Sequence, residues 1–258
     1  MTIGGLRFVV VTVLVSAVLS ISVEPQSPRS PSAGRSPDGK PNFNGVWQVL
    51  NTAAWDIQDH IGRLGVPPGL SVVENNDIPY LPWAIEKKKQ NYADRLTVDP
   101  DANCFLPGVP RVTYQPFPLQ IVQTPKHVSM IYEYAHAQRV IPLDGSSHLE
   151  GALEYWMGDS RGRWEGDTLV VDVRNLKAET WFDRAGNFHS EALYVVERYS
   201  PDGADRIKYE VTIEDPKVFS RPWKMSMPLY RRVGNDARIL EYECAVYLQD
   251  ERFKSFTK

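Results

Sequence analysis

The strongest constraint on the fold is a two-residue alternation of apolar and polar side chains late in the chain. In "DRIKYEVTIED", Ile207, Tyr209, Val211 and Ile213 alternate with charged or hydroxyl residues. Successive side chains of a β-strand point to opposite faces, so this pattern predicts a strand with one buried face. Similar segments follow one another at short spacing, among them "HVSMIYEYAHAQRVIP", "RWEGDTLVVDVRNL", "EALYVVERYS", "WKMSMPLYRRV" and "ARILEYECAVY".

These segments predict one antiparallel sheet. Short connections, such as the turn at residues 165–167, join neighbouring strands into a meander. Seven or eight such strands tend to close into a barrel, because closure removes the exposed edges. A small helical insertion is predicted near residues 82–97, where Pro82 suits a first turn and Ile85 and Tyr92 share a face with Leu96. The predicted class is therefore mostly β.

The N-terminal residues predict export. The chain has 258 residues and opens with "MTIGGLRFVVVTVLVSAVLS", in which a basic residue precedes an apolar run. The run is shorter than the about 20 residues of a membrane span. We interpret residues 1–25 as a signal peptide, residues 26–41 as a flexible linker rich in Pro and Ser, and residues 42–258 as a single barrel-like domain. The mature protein is expected to be extracytoplasmic, periplasmic or secreted, without a stable membrane span; an uncleaved anchor is the alternative.

Composition and motifs limit the classes of partner that the chain is expected to bind. The net charge is −3 and the chain contains no basic stripe, which argues against nucleic acid. A P-loop, a G-x-S-x-G elbow, a zinc-type cysteine cluster and a G-x-G-x-x-G loop are all missing from the sequence. Asp56 and His60 have the spacing of two metal ligands on a helix, but a third ligand is not close in sequence. We expect a small-molecule ligand or substrate, no metal and no cofactor; the sequence assigns no oligomeric state.

The two cysteines of the chain, Cys104 and Cys244, are predicted to pair. An even number of cysteines in an exported protein favours a disulfide. Closing a loop of about 140 residues is worth on the order of 5 kcal/mol in the chain-entropy description. Two buried free thiols are the alternative.

The candidate active site lies in "TWFDRAGNFHSEALYVVERY", which starts at residue 180. If the strand includes its central residues, His189 and Glu191 point to the same face about 7 Å apart. Asp183 lies across the "DRAGN" turn and would orient the imidazole. We interpret Asp183, His189 and Glu191 as catalytic residues for general acid–base chemistry. The alternatives are a satisfied polar end of the strand, or a bulge at Ser190 that turns Glu191 to water.

Four further residues are predicted to bind the substrate. The aromatic rings of Trp181 and Tyr194 would flank it. His136, in "EYAHAQR", would point inward if the sheet curls into a barrel. Asp172 interrupts the apolar run "TLVVDV" and would line a cavity; an ion pair with Arg174 at the surface is the alternative for Asp172.

The motifs "FNGVWQ", "DPDANCFLPGVPR", "WMGDSRGRWEGDTLVVDV" and "TWFDRAGNFHSEALYVVERY" together resemble those of a large family of secreted, functionally uncharacterised bacterial proteins, frequent in soil bacteria. The resemblance covers about residues 41–250 and brings no established reaction. The order "WEGDTL…ERY…YEVTI" is also similar to that of lipocalin-like barrels, an analogy of fold that confers no function. The family resemblance implies that five residues fall at recurrent motif positions: Cys104, Asp183, His189, Glu191 and Cys244.

Three functions are compatible with these observations. The first is a secreted small-molecule enzyme of lyase, isomerase or hydratase type with its site in a barrel pocket. The second is a non-catalytic, calycin-like binding protein for an apolar or aromatic ligand. The third is a structural envelope protein whose aromatic residues all belong to the core. Convergence of the acid–base residues on a pocket favours the first, an apolar cavity the second, and a filled barrel the third.

The apolar N-terminal run makes export testable. Protein isolated from the extracytoplasmic fraction should begin after the run that ends near residue 23. N-terminal sequencing of that material is the measurement. Mature protein that stays in the cytosol with Met1 intact would contradict the prediction.

Overall fold

The computed structural model describes Met1, residues 34–151 and residues 153–244. Apart from Met1, the predicted signal peptide lies outside the described residues, as does the first half of the predicted linker. All structural statements below concern the described ranges.

The described residues form nine strands and one α-helix. The strands are β1 (Gly45–Val49), β2 (Leu119–Gln123), β3 (His127–Tyr132), β4 (Gln138–Pro142), β5 (Asp159–Glu165), β6 (Thr168–Arg174), β7 (Tyr194–Pro201), β8 (Arg206–Glu214) and β9 (Trp223–Arg231). The helix is α1 (Pro82–Val98). Short 3-10 turns occupy Glu74–Asn76, Asp101–Asn103 and Arg111–Tyr114.

The strands form one antiparallel sheet in the order β4-β3-β2-β1-β9-β8-β7-β6-β5. The two end strands lie side by side. Arg139 on β4 donates a hydrogen bond of 3.0 Å to the hydroxyl of Ser160 on β5. Gly162 on β5 lies so close to Ile141 on β4 that an added Cβ would be 2.8 Å from its side chain. The sheet is a nearly closed up-and-down barrel, which confirms the predicted mostly-β class and lipocalin-like architecture.

The alternation that predicted β8 is confirmed. Ile207, Tyr209, Val211 and Ile213 are all buried, and the residues between them are half-buried or exposed. On the neighbouring strand β7, Val195, Glu197 and Tyr199 are buried in the same way. These buried faces form one wall of the barrel interior.

An ion pair crosses the interior of the barrel. Arg139 on β4 binds both carboxylate oxygens of Glu197 on β7, at 3.2 and 2.5 Å. The hydroxyls of Tyr199 and Tyr209 donate to the same carboxylate at 3.0 and 2.6 Å. Because β4 and β7 are not neighbours in the sheet, these side chains meet inside the barrel and occupy the part of it around Glu197. The predicted site in a barrel pocket stays a prediction, since these contacts describe only the part of the interior around Glu197.

The helical insertion is confirmed near its predicted position, but the predicted buried face is wrong. Ile85 and Leu96 are exposed, whereas Ala84 and Asn91 are buried. Asn91 donates a hydrogen bond to the carbonyl of Gly186. The helix therefore packs through a small residue and an amide rather than through its larger apolar side chains.

The disulfide between Cys104 and Cys244 is confirmed. Their Cα atoms are 5.5 Å apart, and 140 positions separate them in the sequence. The bond connects the turn that follows α1 to the segment after β9. That segment, predicted as a strand, is irregular over residues 237–241, and Tyr242 forms an isolated bridge with Tyr134.

The end of the predicted linker lies on the barrel. Arg35 binds both carboxylate oxygens of Asp167 at 2.9 Å, and Lys40 donates to the carbonyl of Gly166. An isolated bridge joins Arg35 to Pro41. Paired charges thus hold residues 35–41 against the β5–β6 turn, which differs from the flexible tether expected from composition.

The ion pair inside the barrel predicts an asymmetric response to mutation. Glu197→Leu should lower the free energy of unfolding by about 3–5 kcal/mol, because it leaves Arg139 buried and unpaired. Adding Arg139→Met should recover part of this loss, since the buried charge is then removed. Chemical denaturation of the single and double variants measures both effects.

Arg198 provides the matched control, because it faces outward from the same strand and pairs with Glu165 at the surface. Arg198→Ala should cost less than about 1 kcal/mol. If Glu197→Leu and Arg198→Ala were equally mild, the ion pair would not support the barrel.

Candidate functional site

The predicted placement of His189 and Glu191 on one face of a strand is wrong. Strand β7 begins at Tyr194, so His189 and Glu191 precede it. The backbone N–H and the hydroxyl of Ser190 both donate to Asp215, at 2.6 and 2.9 Å, and this anchor turns the chain before the strand starts. Glu191 lies at the surface and pairs with Lys217. Glu191 therefore faces water, as the alternative interpretation predicted. The cause is the hydrogen bonding of Ser190 to Asp215 before the strand begins, and not a bulge within the strand.

Asp183 is fully buried and organises its own loop. Its carboxylate accepts hydrogen bonds from the backbone of Ile57 and Ala185 at 2.9 Å, and from the backbone and side-chain amides of Asn187 at 3.2 and 2.5 Å. Burial, together with the charge of Asp56, raises the pKa of Asp183 to about 6. Four donors saturate this carboxylate, so it connects residues 183–187 to residue 57.

His189 is buried and bonded through both ring nitrogens. The carbonyl of Ser190 can only accept, so Nδ1 donates to it at 2.8 Å. Nε2 then accepts from the hydroxyl of Thr180 at 2.7 Å. The ring centroid lies 5.3 Å from that of Phe182. Burial lowers the pKa of His189, which favours the neutral imidazole. Asp183 and His189 thus have separate partners, and the expected His–Asp hydrogen bond is replaced by these contacts.

The predicted substrate-binding residues lie in separate places. Trp181 is buried and forms an isolated bridge with Phe188. His136 is exposed and pairs with Glu243 at 3.2 Å. The structure does not bring the two side chains into one cavity of the described residues, and their substrate-binding roles stay predictions.

Tyr194 and Asp172 do meet, on the outer face of the barrel. The hydroxyl of Tyr194 donates to Asp172, which also pairs with Arg163. Arg174, the partner expected for Asp172, instead lies 4.0 Å above the ring of Tyr194. The surface ion-pair alternative for Asp172 fits this arrangement, with Arg163 as the partner.

A cleft elsewhere in the fold has the dimensions of a ligand site. Its volume is about 330 Å³, and it lies between α1 and the segment 55–66, with residues 99–102 and 184–185 at its base. A neighbouring depression of about 290 Å³ shares several of its lining residues and adds Lys88 and Lys89. We refer to the two together as the α1 cleft. Sites for small organic ligands start at about this size.

Three arginines and two aromatic rings line the α1 cleft. The guanidinium of Arg95 lies 4.2 Å from the ring centroid of Tyr92, and that of Arg63 lies 5.3 Å from it. Arg184 lies 5.9 Å from the ring centroid of Trp55. Cations at such distances from aromatic faces attract the rings and hold them in place. The cleft therefore combines positive charge with flat apolar surface.

The acidic residues of the cleft only partly offset this charge. Asp99 is buried, and both its oxygens accept hydrogen bonds from Arg111, at 2.8 and 2.9 Å. Asp56 is half-buried and accepts from the backbone of Gln58. With Asp99 neutralised by a buried arginine, the lining carries more positive than negative charge.

A buried network supports the base of the cleft. Asp101 accepts hydrogen bonds from Arg111 at 3.3 Å, from Gln115 at 3.1 Å and from the hydroxyl of Tyr134 at 2.5 Å. Burial alone would raise the pKa of Asp101, but the charge of Arg111 and the Tyr134 hydrogen bond hold it below its ordinary value. Arg184 reaches the same carboxylate at 3.4 Å. The network fixes the position of one cleft arginine.

The α1 cleft is not predicted by any motif of the sequence. Arg63, Arg95 and Arg184 are separated by up to 121 positions, and they share no motif. Lys88 belongs to a run of lysines that is typical of an ordinary solvated helix face. One available signal was "WDIQDHIGRLG", in which an aromatic residue, two acids and an arginine stand close together; its loosely helical spacing instead predicts a short helix, whereas residues 55–66 contain no helix in the structure.

The comparisons with known proteins place the chain in no established family. No family model and no curated protein matches it. Fourteen chains among the solved structures match, and one of them is a mutant of the fluorescent protein UnaG. That similarity has 11% identity and a TM-score of 0.35, and covers 74% of this chain and 97% of the UnaG chain. The barrel architecture rests on the strand pairing described above, and this distant similarity adds neither a ligand nor an activity to it.

Within the described ranges, no helix has the length and apolar character needed to cross a membrane.

The buried imidazole of His189 predicts a pH dependence of stability. An unfolded chain takes up a proton at a histidine near pH 6.5, while the folded state resists it because the pKa of His189 is lowered. Its contribution to stability is present above about pH 6.5 and is lost as the pH falls through the folded pKa. Asp183 acts in the opposite direction, because its raised pKa of about 6 makes its contribution largest at acid pH.

His189→Gln separates the two effects, because it removes only the imidazole. The free energy of unfolding, measured by denaturant titration from about pH 8 to 5, should fall less steeply with acidification in the variant than in the wild type. The difference in slope should approach about 1.4 kcal/mol per pH unit at most, the value for one proton. Equal slopes would show that His189 does not resist protonation.

Proposed function

We propose that the chain is an extracytoplasmic binding protein for a small organic anion with a flat apolar or aromatic body. The observation that carries the proposal is the α1 cleft, where three arginines and two aromatic rings surround a cavity of about 330 Å³. Binding sites of this size typically combine apolar walls with a few polar groups that fix the orientation of the ligand.

The arginines are suited to an anionic group. Arg63 donates through one Nη to the hydroxyl of Tyr92, and Arg95 donates through one Nη to the carbonyl of the same residue. A guanidinium has five N–H donors, so each keeps donors for a carboxylate, sulfonate or phosphate. The contacts with Tyr92 also pre-orient both side chains, which lowers the entropy cost of ligand binding.

The aromatic walls favour a flat ligand body. Trp55 and Tyr92 line the cavity on the two elements that face each other, the segment 55–66 and α1. Aromatic faces add packing energy for planar groups. An anion with an aromatic or extended apolar body would use both the charge and the rings of the cleft.

Location outside the cytoplasm rests on two observations. The Cys104–Cys244 disulfide is of the kind that forms and persists in oxidising compartments. The N-terminal sequence has the charge and apolar run of a secretory signal peptide. Secretion and a signal peptide are therefore part of the proposal.

The acid–base enzyme hypothesis has less support than the binding hypothesis. The bonds of Asp183 and His189 are satisfied within the protein, and Glu191 pairs with Lys217 at the surface. Asp56 supplies a half-buried carboxylate at the cleft, so a lyase, isomerase or hydratase stays a prediction. The side chains packed around Glu197 in the barrel interior are compatible with a structural envelope role, but that role gives no reason for the arginine-lined cleft.

A titration with 1-naphthoate and its neutral analogue 1-naphthalenemethanol tests the proposal. Isothermal titration calorimetry should detect binding of the acid, with the alcohol at least about tenfold weaker, because the charged hydrogen bonds are lost. Arg63→Gln combined with Arg184→Gln should weaken binding of the acid by about tenfold or more and change binding of the alcohol little.

The matched control is Arg206→Gln combined with Arg221→Gln, since both arginines are exposed and pair with carboxylates away from the cleft. The control should bind the acid as the wild type does. Equal affinity for acid and alcohol, or an equal loss in both double variants, would refute an anion site in the α1 cleft.

A further inference from the structure

A short hairpin projects beside the α1 cleft. Reciprocal backbone hydrogen bonds join His60 to Gly69 at 3.0 Å and Arg63 to Val66 at 2.9 Å. The turn between them is Leu64-Gly65, with Gly65 at a φ of 75°. A positive φ at the second turn position is typical of a type II turn, for which glycine is suited. Residues 60–69 thus form a defined element, which we call the hairpin.

The side chains at the tip and edge of the hairpin are apolar and exposed. The relative exposures are 81% for Ile61, 102% for Leu64 and 85% for Leu70, which follows the hairpin. Leu96 on α1, at 80%, lines the same cleft as Leu64. Single exposed apolar residues are ordinary, but several around one projecting element mark an interaction surface.

The base of the hairpin is fixed, so the tip cannot easily fold back. Gly69 lies so close to Thr52 that an added Cβ would be 1.8 Å from its hydroxyl. Asp59 accepts hydrogen bonds from the backbone of Ser71 at 2.7 Å and from the side chain of Asn76 at 3.0 Å. The hairpin is therefore held in a defined position, in which Arg63 contacts Tyr92 on α1 while Ile61 and Leu64 stay exposed.

Positive charge lies next to the apolar tip. Arg63 is part of the hairpin, and Lys88, Lys89 and Arg95 lie on the side of α1 that lines the cleft. Glu86 pairs with Lys89 at 2.7 Å and cancels part of this charge. Asp56 lines the cleft and Asp59 lies at the base of the hairpin, so Arg63, Lys88 and Arg95 leave a small excess of positive charge around the apolar residues.

We propose that the hairpin and the adjacent face of α1 dock the protein on an anionic lipid surface. Apolar side chains would enter the boundary between headgroups and acyl chains, while the cations would contact the headgroups. The charge distribution favours lipid over a second copy of the chain, because a two-fold contact through this surface would place the cations against themselves. This docking goes beyond the proposed ligand binding and does not depend on it.

Vesicle flotation tests the docking. Wild-type protein should float with vesicles that contain phosphatidylcholine and phosphatidylglycerol, and much less with phosphatidylcholine alone. Ile61→Glu combined with Leu70→Glu should lower the bound fraction at least about tenfold, because two apolar contacts are replaced by charges that the lipid repels. Neither residue lines the α1 cleft, so binding of 1-naphthoate should be unchanged in this variant. That readout separates failure of docking from failure of the ligand site.

The matched control is Val140→Glu combined with Val233→Glu, at two exposed valines outside the hairpin and α1. It should float as the wild type does. The proposal would be overturned if the wild-type protein floated with neither kind of vesicle. It would also be overturned if the hairpin variant floated as well as the wild type, or if the control variant lost as much bound fraction as the hairpin variant. A dimer in solution that the hairpin variant abolishes would overturn it too, since the surface would then bind a second copy.

Discussion

Arg139 lies at the one junction of the described barrel that no ladder of backbone hydrogen bonds joins, and its charge is paired with Glu197 inside the barrel. Every other neighbouring pair of strands shares a ladder of hydrogen bonds, whereas β4 and β5 are the two ends of the sheet. Arg139 reaches from β4 to Glu197 across the interior and to Ser160 across the junction. A single guanidinium thus couples closure of the sheet to the filling of its centre. Since its charge is costly to bury, the arrangement depends on all of its partners being present.

Side chains pack against Glu197 inside the barrel, and the α1 cleft lies outside it. Tyr199 and Tyr209 both turn their hydroxyls toward Glu197, so these side chains occupy the barrel interior around that carboxylate. The α1 cleft uses instead the helix and the connections that cover the outside of the sheet. Its base is built in the same way as the barrel interior, from a buried arginine, Arg111, that satisfies carboxylates from one short segment.

The strands could be predicted from the alternation of apolar and polar residues within short segments, whereas the α1 cleft could not. Ile207, Tyr209 and Val211 alternate within one strand, so burial of one face can be predicted from adjacent residues. The error at His189 and Glu191 has a similar local origin, because the alternation was extended past the point where Ser190 bonds to Asp215, 25 positions away. Contacts between residues so far apart in the sequence produce no periodic pattern of apolar and polar residues. The cleft depends on such contacts, because Arg63 and Arg184 come to line one cavity only after the chain has folded.

The positions of the disulfide and of β1 have a consequence for the robustness of the barrel. The covalent loop from Cys104 to Cys244 contains strands β2 to β9, while β1 precedes it and pairs with both β2 and β9. The start and the end of the same long loop are therefore connected twice, once by a covalent bond and once by two ladders of hydrogen bonds. The two connections are independent of each other. If the disulfide is reduced, β1 still bridges β2 and β9. If β1 detaches, the disulfide still limits how far β2 and β9 separate.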